Sequence, residues 1–237
     1  QRLIQLGLPV PPAIVIPVSV TPSHDDLASA LDLLPPGPLA VRSGAAVSLP
    51  GAYDTVLDVD PVDVGDAVAA VRASAGTRRA LAVARALGLD AVPPTAVLVQ
   101  SMVDTTGDEA SAAGAATSVD PVTGDAGLHG SVAWRARGDA VMGGSVPVEP
   151  IEELGRLPAV LERLDADVAR LHDELGGPLE VEFGVESGVL WYLQLRRLET
   201  PPPVGDGGHP AMRLLGRGRP ASAGFGVGEL HTDVDTA

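Results

Sequence analysis

Residues 40–60, AVRSGAAVSLPGAYDTVLDVD, join two extended apolar runs through a segment with almost no side chains. Leu39, Ala40 and Val41 read as a buried strand and lead directly into Arg42. The chain then breaks into small residues, passes Pro50-Gly51, and resumes as Tyr53-Asp54-Thr55-Val56-Leu57. A guanidinium at the end of a core strand needs a counter-charge. Within this stretch it has a candidate in Asp54; the other possibility is an anion from outside the chain.

Outward from this stretch the pattern alternates strands with helices. Residues 2–6 read as the end of a helix closed by Gly7, and Ala13 to Val18 as a β-branched strand. Ser23 is an N-cap followed by acidic first-turn residues, and Leu27, Leu31 and Leu34 give one apolar face before Pro35. A strand is expected over 39–42 and a second extended piece over 53–59. Ala-rich helices are expected over 62–74 and 77–87, ending at Gly76 and Gly88. TAVLVQSMV (95–103) reads as a buried strand, and 114–119 with 128–134 as a hairpin around Asp120-Pro121-Val122-Thr123-Gly124. A helix from about 158 to 175 ends at Gly176-Gly177, and 201–218 is a Pro/Gly-rich linker.

The chain has 237 residues and is 45% hydrophobic, enough for a core in one or two domains. Sixteen basic residues, all Arg, stand against 31 acidic ones, for a net charge of −15. That balance speaks against nucleic acid and anionic membrane as partners, so an anionic ligand requires a local basic pocket. No Cys excludes disulfides, thiolate chemistry and cysteine-bound zinc. The apolar stretch LPVPPAIVIPVSV is interrupted by Pro9, Pro11, Pro12 and Pro17 and has no basic leader. A cytoplasmic chain, beginning inside a longer one because it starts with Gln1, is the expectation.

The last hairpin, PLEVEFGVESGVLWYLQLRR (178–197), carries the densest chemistry. A turn at Glu186-Ser187-Gly188 that pairs Val185 with Val189 sorts its side chains by alternation. Val181, Phe183, Val185, Val189, Trp191, Leu193 and Leu195 form an apolar face; Glu180, Glu182, Tyr192, Gln194 and Arg196 form a polar one. A polar row of this kind is either a solvated face or a Mg²⁺–phosphate site, since hard cations take oxygen ligands and Arg forks onto phosphate.

Several of these segments together resemble the N-terminal ATP-binding domain of the pyruvate phosphate dikinase family. VRSGAAVSLPGAYDT is similar to the family's V-R-S-G-A…S-x-P-G-x-x-D-T loop. LGLPVPPAIVI resembles its first strand, SAGTRRALAVARALGL its T-x-R-A helix, and TAVLVQSMV its A-V-x-V-Q-x-M-V strand. GAATSVDPVTGD resembles its G-x-A-F-T-R-x-P-x-T-G-E turn, and LEVEFGVESGVLWYLQLR its D-I-E-F…L-Q-x-R hairpin. GRPASAGFGVGEL resembles the opening of the phosphohistidine domain that follows.

The resemblance implies an α/β (α+β) ATP-grasp-like domain over 1–200, two lobes with mixed sheets closing on MgATP, then the linker and the start of a phosphohistidine-like domain at 219–237. Small residues let backbone N–H groups approach phosphate closely. Arg42, Ser43, Gly44 and Gly51 are thereby implied at the phosphates, Gln100, Met102 and Val103 at the adenine, and Glu182 and Gln194 on Mg²⁺. Arg196 is implied near the transferred phosphate, with Arg42 and Arg196 in catalytic roles and Glu180 one layer behind. The polar face of the last hairpin is expected to line a cleft opposite the 43–52 loop. The implied activity is ATP-dependent phosphotransfer to a histidine on a swivelling partner domain, serving phosphoenolpyruvate/pyruvate interconversion and incomplete in this chain alone.

There are departures. The family lysine of G-K-x-A has no counterpart here, for the chain contains no Lys. Val119 stands at the family's T-R arginine, WRARGDAVMGG is a distorted N-A-Q-G-E-D-V-V-x-G, and the 60–95 segment is short. His24, His129, His172, His209 and His231 match no catalytic histidine motif and read as polar or capping residues. These departures define the alternative, a diverged non-catalytic module for nucleotide sensing or protein interaction that retains the fold.

Overall fold

The computed structural model describes residues 2–45, 49 and 51–198. The expected linker at 201–218 and domain start at 219–237 lie outside the described residues, as do 46–48 and Pro50. The chain divides into two compact units. Of the described residues, the first unit runs to Asp104 and includes 184–186 and 191–193; the second comprises Thr105–Phe183, Ser187–Leu190 and 194–198.

In the first unit, β1 (Ala13–Ile16), β2 (Leu39–Gly44), β3 (Val56–Val59) and β4 (Ala96–Ser101) form a sheet in the order β1-β4-β2-β3. Alternation sends Ile16, Leu39, Val41, Val59, Val97 and Val99 into one core. Helix α3 (Val64–Ala73) closes that core with Val64, Ala67, Val68 and Val71, an i, i+3, i+4, i+7 stripe. Each fully buried valine contributes about 1.5–3 kcal/mol relative to exposure. Helix α2 (His24–Leu31) adds Leu27 and Leu31, with Leu34 beyond its end. It starts at Ser23 in a reciprocal capping box with Asp26. Helix α1 (Arg2–Gln5) is followed by Gly7 at φ 72, the left-handed stop read from the sequence.

Helix α4 (Arg78–Ala86), capped by Thr77, packs Ala80 and Ala84 against Leu49 and Ala52, so part of the small-residue loop is a core element. Tyr53 secures the same region by donating its hydroxyl to the Pro93 carbonyl at 2.6 Å.

The second sheet has the order β7-β6-β5-β8-β9. Its strands are β5 (Ala112–Val119), β6 (Ala126–Trp134), β7 (Glu149–Pro150), β8 (Leu179–Glu186) and β9 (Val189–Arg197). Where mixed sheets were expected, every pairing with a described register is antiparallel. β5 is built from small residues for a packing reason. A Cβ on Gly114 would lie 2.4 Å from the Ser131 carbonyl oxygen and 2.5 Å from the Phe183 ring. Helix α6 (Pro158–Leu175) packs on β5 and β6, buries Val160, Leu164, Val168 and Leu171, and stops at Gly176, φ 68. The short helix α5 (Gly138–Met142) falls in the distorted WRARGDAVMGG segment, where no element was expected.

The last hairpin forms, with a correction. Its turn is two residues, Ser187 (φ 47) and Gly188 (φ 80), instead of three. On β9 the buried positions are Leu190 and Tyr192, whereas Val189, assigned to the packed face, is 52% exposed. Tyr192 is buried where a polar face was expected, and its backbone N–H donates to the Pro9 carbonyl at 2.8 Å. The chain start therefore covers this part of the strand edge. Among the described residues no helix is long and apolar enough to cross a membrane.

Candidate functional site

The candidate residues of the first unit gather on β2 and β4. Arg42 stands opposite Leu98, on the sheet face away from the Leu39–Val41–Val99 core, and is half-buried. The strand runs on through Ser43, opposite Val97, and Gly44, opposite Ala96. A loop was expected to begin directly after Arg42; instead pairing with β4 carries the strand two residues further. The Gly44 N–H donates to Thr95 Oγ1 at 3.0 Å, and that hydroxyl donates to the Ala96 carbonyl. Thr95 is buried and closes the end of β2, a role that its position at the head of an apolar run did not reveal. Gly51, further along, has φ 70, a backbone that only glycine adopts cheaply. Asp54 is held in an ion pair by Arg79, so this carboxylate is engaged by α4.

Gln100 lies two residues beyond Leu98 on β4, opposite Ala13 and Ala40. It is buried, and its Nε2 donates to the Pro11 carbonyl at 3.3 Å. Met102 donates its N–H to the Pro38 carbonyl, and its sulfur accepts the Asp58 N–H at 3.1 Å. That contact arises from a bulge. Leu39 faces Val59 but Val41 faces Val56, so β3 spends one more residue than β2, and Asp58 takes φ 55. Val103 follows, half-buried.

The second unit supplies the charged set. Arg196 Nε and Nη2 reach the same oxygen, Glu180 Oε1, at 2.7 and 2.5 Å. Glu180 is the buried partner; its side chain is 5% exposed against 27% for Arg196. Glu182, two residues along β8, is half-buried, and Gln194 is exposed on β9. Their donor atoms are a carboxylate and an amide oxygen, both hard ligands suited to Mg²⁺. Among the described residues no group of three or more His, Cys, Asp or Glu could hold a metal ion. An ion taking a ligand from either residue would complete its shell with phosphate and water.

The hairpin turn between these strands is tied down within the second unit. Asp108 accepts from the Ser111 hydroxyl and the Ala110 N–H, and its other oxygen accepts from the Ser187 hydroxyl at 2.6 Å. Gly188 N–H adds a bond to the Ala110 carbonyl. The Ser187 and Ser111 hydroxyls, with the Ala110 amide and the charge of Arg135, hold the Asp108 carboxyl below its usual 3.8.

The departures have structural counterparts. Val119 is buried at the end of β5. Arg137 precedes α5 and pairs with Asp139 at 3.1 Å, a local contact. His172 Nδ1 lies 2.8 Å from Ser118 Oγ, which also accepts the Leu179 N–H, so this histidine fastens the last turn of α6 to β5. His24 opens α2, as a polar helix-end residue. His209 and His231 lie outside the described residues.

Comparison with known proteins gives the following. The family model for the AMP/ATP-binding domain of pyruvate phosphate dikinase matches residues 16–163. Pyruvate, phosphate dikinase of Rhizobium meliloti (strain 1021) is 32% identical over 151 residues, covering 58% of this chain and 17% of that protein. The Clostridium symbiosum protein of the same name is 31% identical over 111 residues, 46% of this chain and 13% of its own length. The chain thus spans less than a fifth of these relatives. Among solved structures, D-alanine–D-alanine ligase from Bacillus anthracis complexed with ATP is similar with a TM-score of 0.47 at 12% identity, covering 84% of this chain and 51% of the other. The corresponding ligase from Coxiella burnetii gives 0.48 at 12% identity, over 81% and 44%.

Proposed function

The chain belongs to the pyruvate phosphate dikinase AMP/ATP-binding domain family, and from that premise we propose that it binds ATP with Mg²⁺ as the nucleotide-handling part of a cytoplasmic phosphotransferase. The acceptor is a histidine on a separate phosphohistidine domain, and phosphoenolpyruvate/pyruvate interconversion is the reaction served. The observation that carries this reading is the position of Arg42. It sits in β2, two residues before the strand's end, on the face turned from the core, inside the matched segment that also holds Ser43, Gly44, Gly51 and Gln100 to Val103.

Arg42 and the Ser43–Gly51 backbone would take the phosphates, and Gln100, Met102 and Val103 would border the adenine. Glu182 and Gln194 would hold Mg²⁺, which when bound neutralises phosphate charge. Glu180 fixes the Arg196 guanidinium through two donors on one oxygen, so Arg196 would meet the transferred phosphate with its orientation already set. Photolabelling with 8-azido-ATP tests the adenine assignment. Label in a peptide spanning Gln100–Val103, suppressed by excess ATP, is the expected result; ATP-protected label confined to other peptides overturns it.

A second reading has its own support. The Gly44 N–H is taken by Thr95, the Gln100 amide by Pro11 and the Arg196 guanidinium by Glu180. Residues satisfied by one another are what a diverged, non-catalytic module would keep after losing its ligand. Such a module would show no ATP-protected label at all.

A further inference from the structure

A cavity of about 320 Å³ lies wholly within the first unit; none of the residues assigned to the nucleotide lines it, although its Thr95 is bonded to Gly44. Its walls are Val18, Ala75, Val92 and Pro94; Thr95 and Arg72 complete the lining. The Thr95 hydroxyl is already committed, accepting from Gly44 and donating to Ala96. Among the described residues Arg72 is the one charged group lining this space. Its Nη2 donates to the Pro17 carbonyl at 2.8 Å, which fixes the plane of the guanidinium, and among the described residues it forms no ion pair. Arg79, Arg137, Arg156, Arg163 and Arg196, by contrast, each have a carboxylate partner.

We infer that this cavity binds a small aliphatic carboxylate. The carboxylate would sit on the Arg72 guanidinium, whose fork matches two oxygens, and the carbon chain would lie against Val18, Ala75, Val92 and Pro94. The volume is at the lower end for ligand sites, which favours a body of a few carbons. A bare phosphate would leave the apolar walls unused and would bring more charge than one arginine answers. A neutral alcohol of the same length would leave the guanidinium without its counter-charge. The site does not rest on the nucleotide reading.

Titration of the ¹⁵N-labelled chain with sodium butyrate, followed by NMR, tests the inference, with 1-butanol and inorganic phosphate as comparison probes. Saturable shifts are expected at Ala75, Val92, Thr95 and the Arg72 Nε–H, and at Gly44, whose amide the Thr95 hydroxyl holds. Butanol and phosphate should each bind at least about tenfold more weakly. Arg72→Met should weaken butyrate binding at least about tenfold, while Arg72→Lys keeps part of it. Ala75→Leu fills the recess and leaves Arg72 in place, so it decides the matter should Arg72→Met not fold; it should abolish the shifts. Non-saturable shifts, an equal response to phosphate, or unchanged affinity in Arg72→Met or Ala75→Leu would overturn the inference.

Discussion

Glu180 and Arg196 face each other with unequal burial, and that inequality predicts unequal consequences. Removing Arg196 strands a carboxylate whose side chain is 5% exposed, whereas removing Glu180 leaves a guanidinium that is 27% exposed and able to reach water. Arg196→Met should therefore destabilise by about 3–5 kcal/mol and Glu180→Gln by distinctly less. Urea unfolding of both variants measures this, and the reverse order would mean that Glu180 is not the desolvated partner. Thr95 works on the same scale. Thr95→Val removes the acceptor of the Gly44 N–H and should cost about 1–3 kcal/mol, with Thr95→Ser recovering most of it. Both contacts depend on which side chain meets which across 16 or 51 residues of sequence. The chemistry of these residues could be read from the chain; their partners could not.

Helices were easier to read than turns and edges. Helix α6 begins at Pro158 and ends before Gly176 as expected, because a long apolar period bounded by Pro and Gly is a local signal. The parity of β9 was missed, because a turn one residue shorter and an edge covered at Pro9 are decided outside the strand. The strand β2 outran its expected end for the same reason, since its last pairs are made by β4. At Gly114 the neighbouring strands again decide the residue. Gly114→Ala would press a methyl into the Ser131 carbonyl and the Phe183 ring, and a loss of about 1–3 kcal/mol is expected in thermal or urea unfolding. Two turns confer acid sensitivity. Backbone N–H groups of Val122 and Thr123 hold Asp120 below its usual 3.8, and the Ser187 and Ser111 hydroxyls do the same for Asp108. Lowered carboxyls stabilise the folded chain fully above their ordinary value, and that support is lost as pH falls through the lowered ones. The urea midpoint of Asp108→Asn/Asp120→Asn should therefore fall less steeply than that of the unsubstituted chain below about pH 4. An identical acid limb in both would contradict this.

At the scale of the molecule, the sequence motifs divide between two compact units. Arg42, Gly44, Gln100 and Met102 belong to the first; Glu182, Gln194 and Arg196 belong to the second. The family match covers residues 16–163 and so reaches the first group but not the second. The phosphate-binding and metal-binding halves of the proposal therefore stand on different observations, and one ligand must answer to both. If it does, ATP affinity depends on Mg²⁺, because the triphosphate would otherwise meet the Glu182 carboxylate uncompensated. Calorimetric titration of ATP into the chain, with Mg²⁺ and with EDTA, reads this most directly, at millimolar nucleotide because no lysine assists. Mg²⁺-dependent binding is expected, weakened about 10- to 100-fold by Arg42→Ala, lost with its Mg²⁺ dependence in Glu182→Ala, and little changed in Arg78→Ala, which lies outside the proposed site. No Mg²⁺-dependent binding by the unsubstituted chain at that concentration would contradict it.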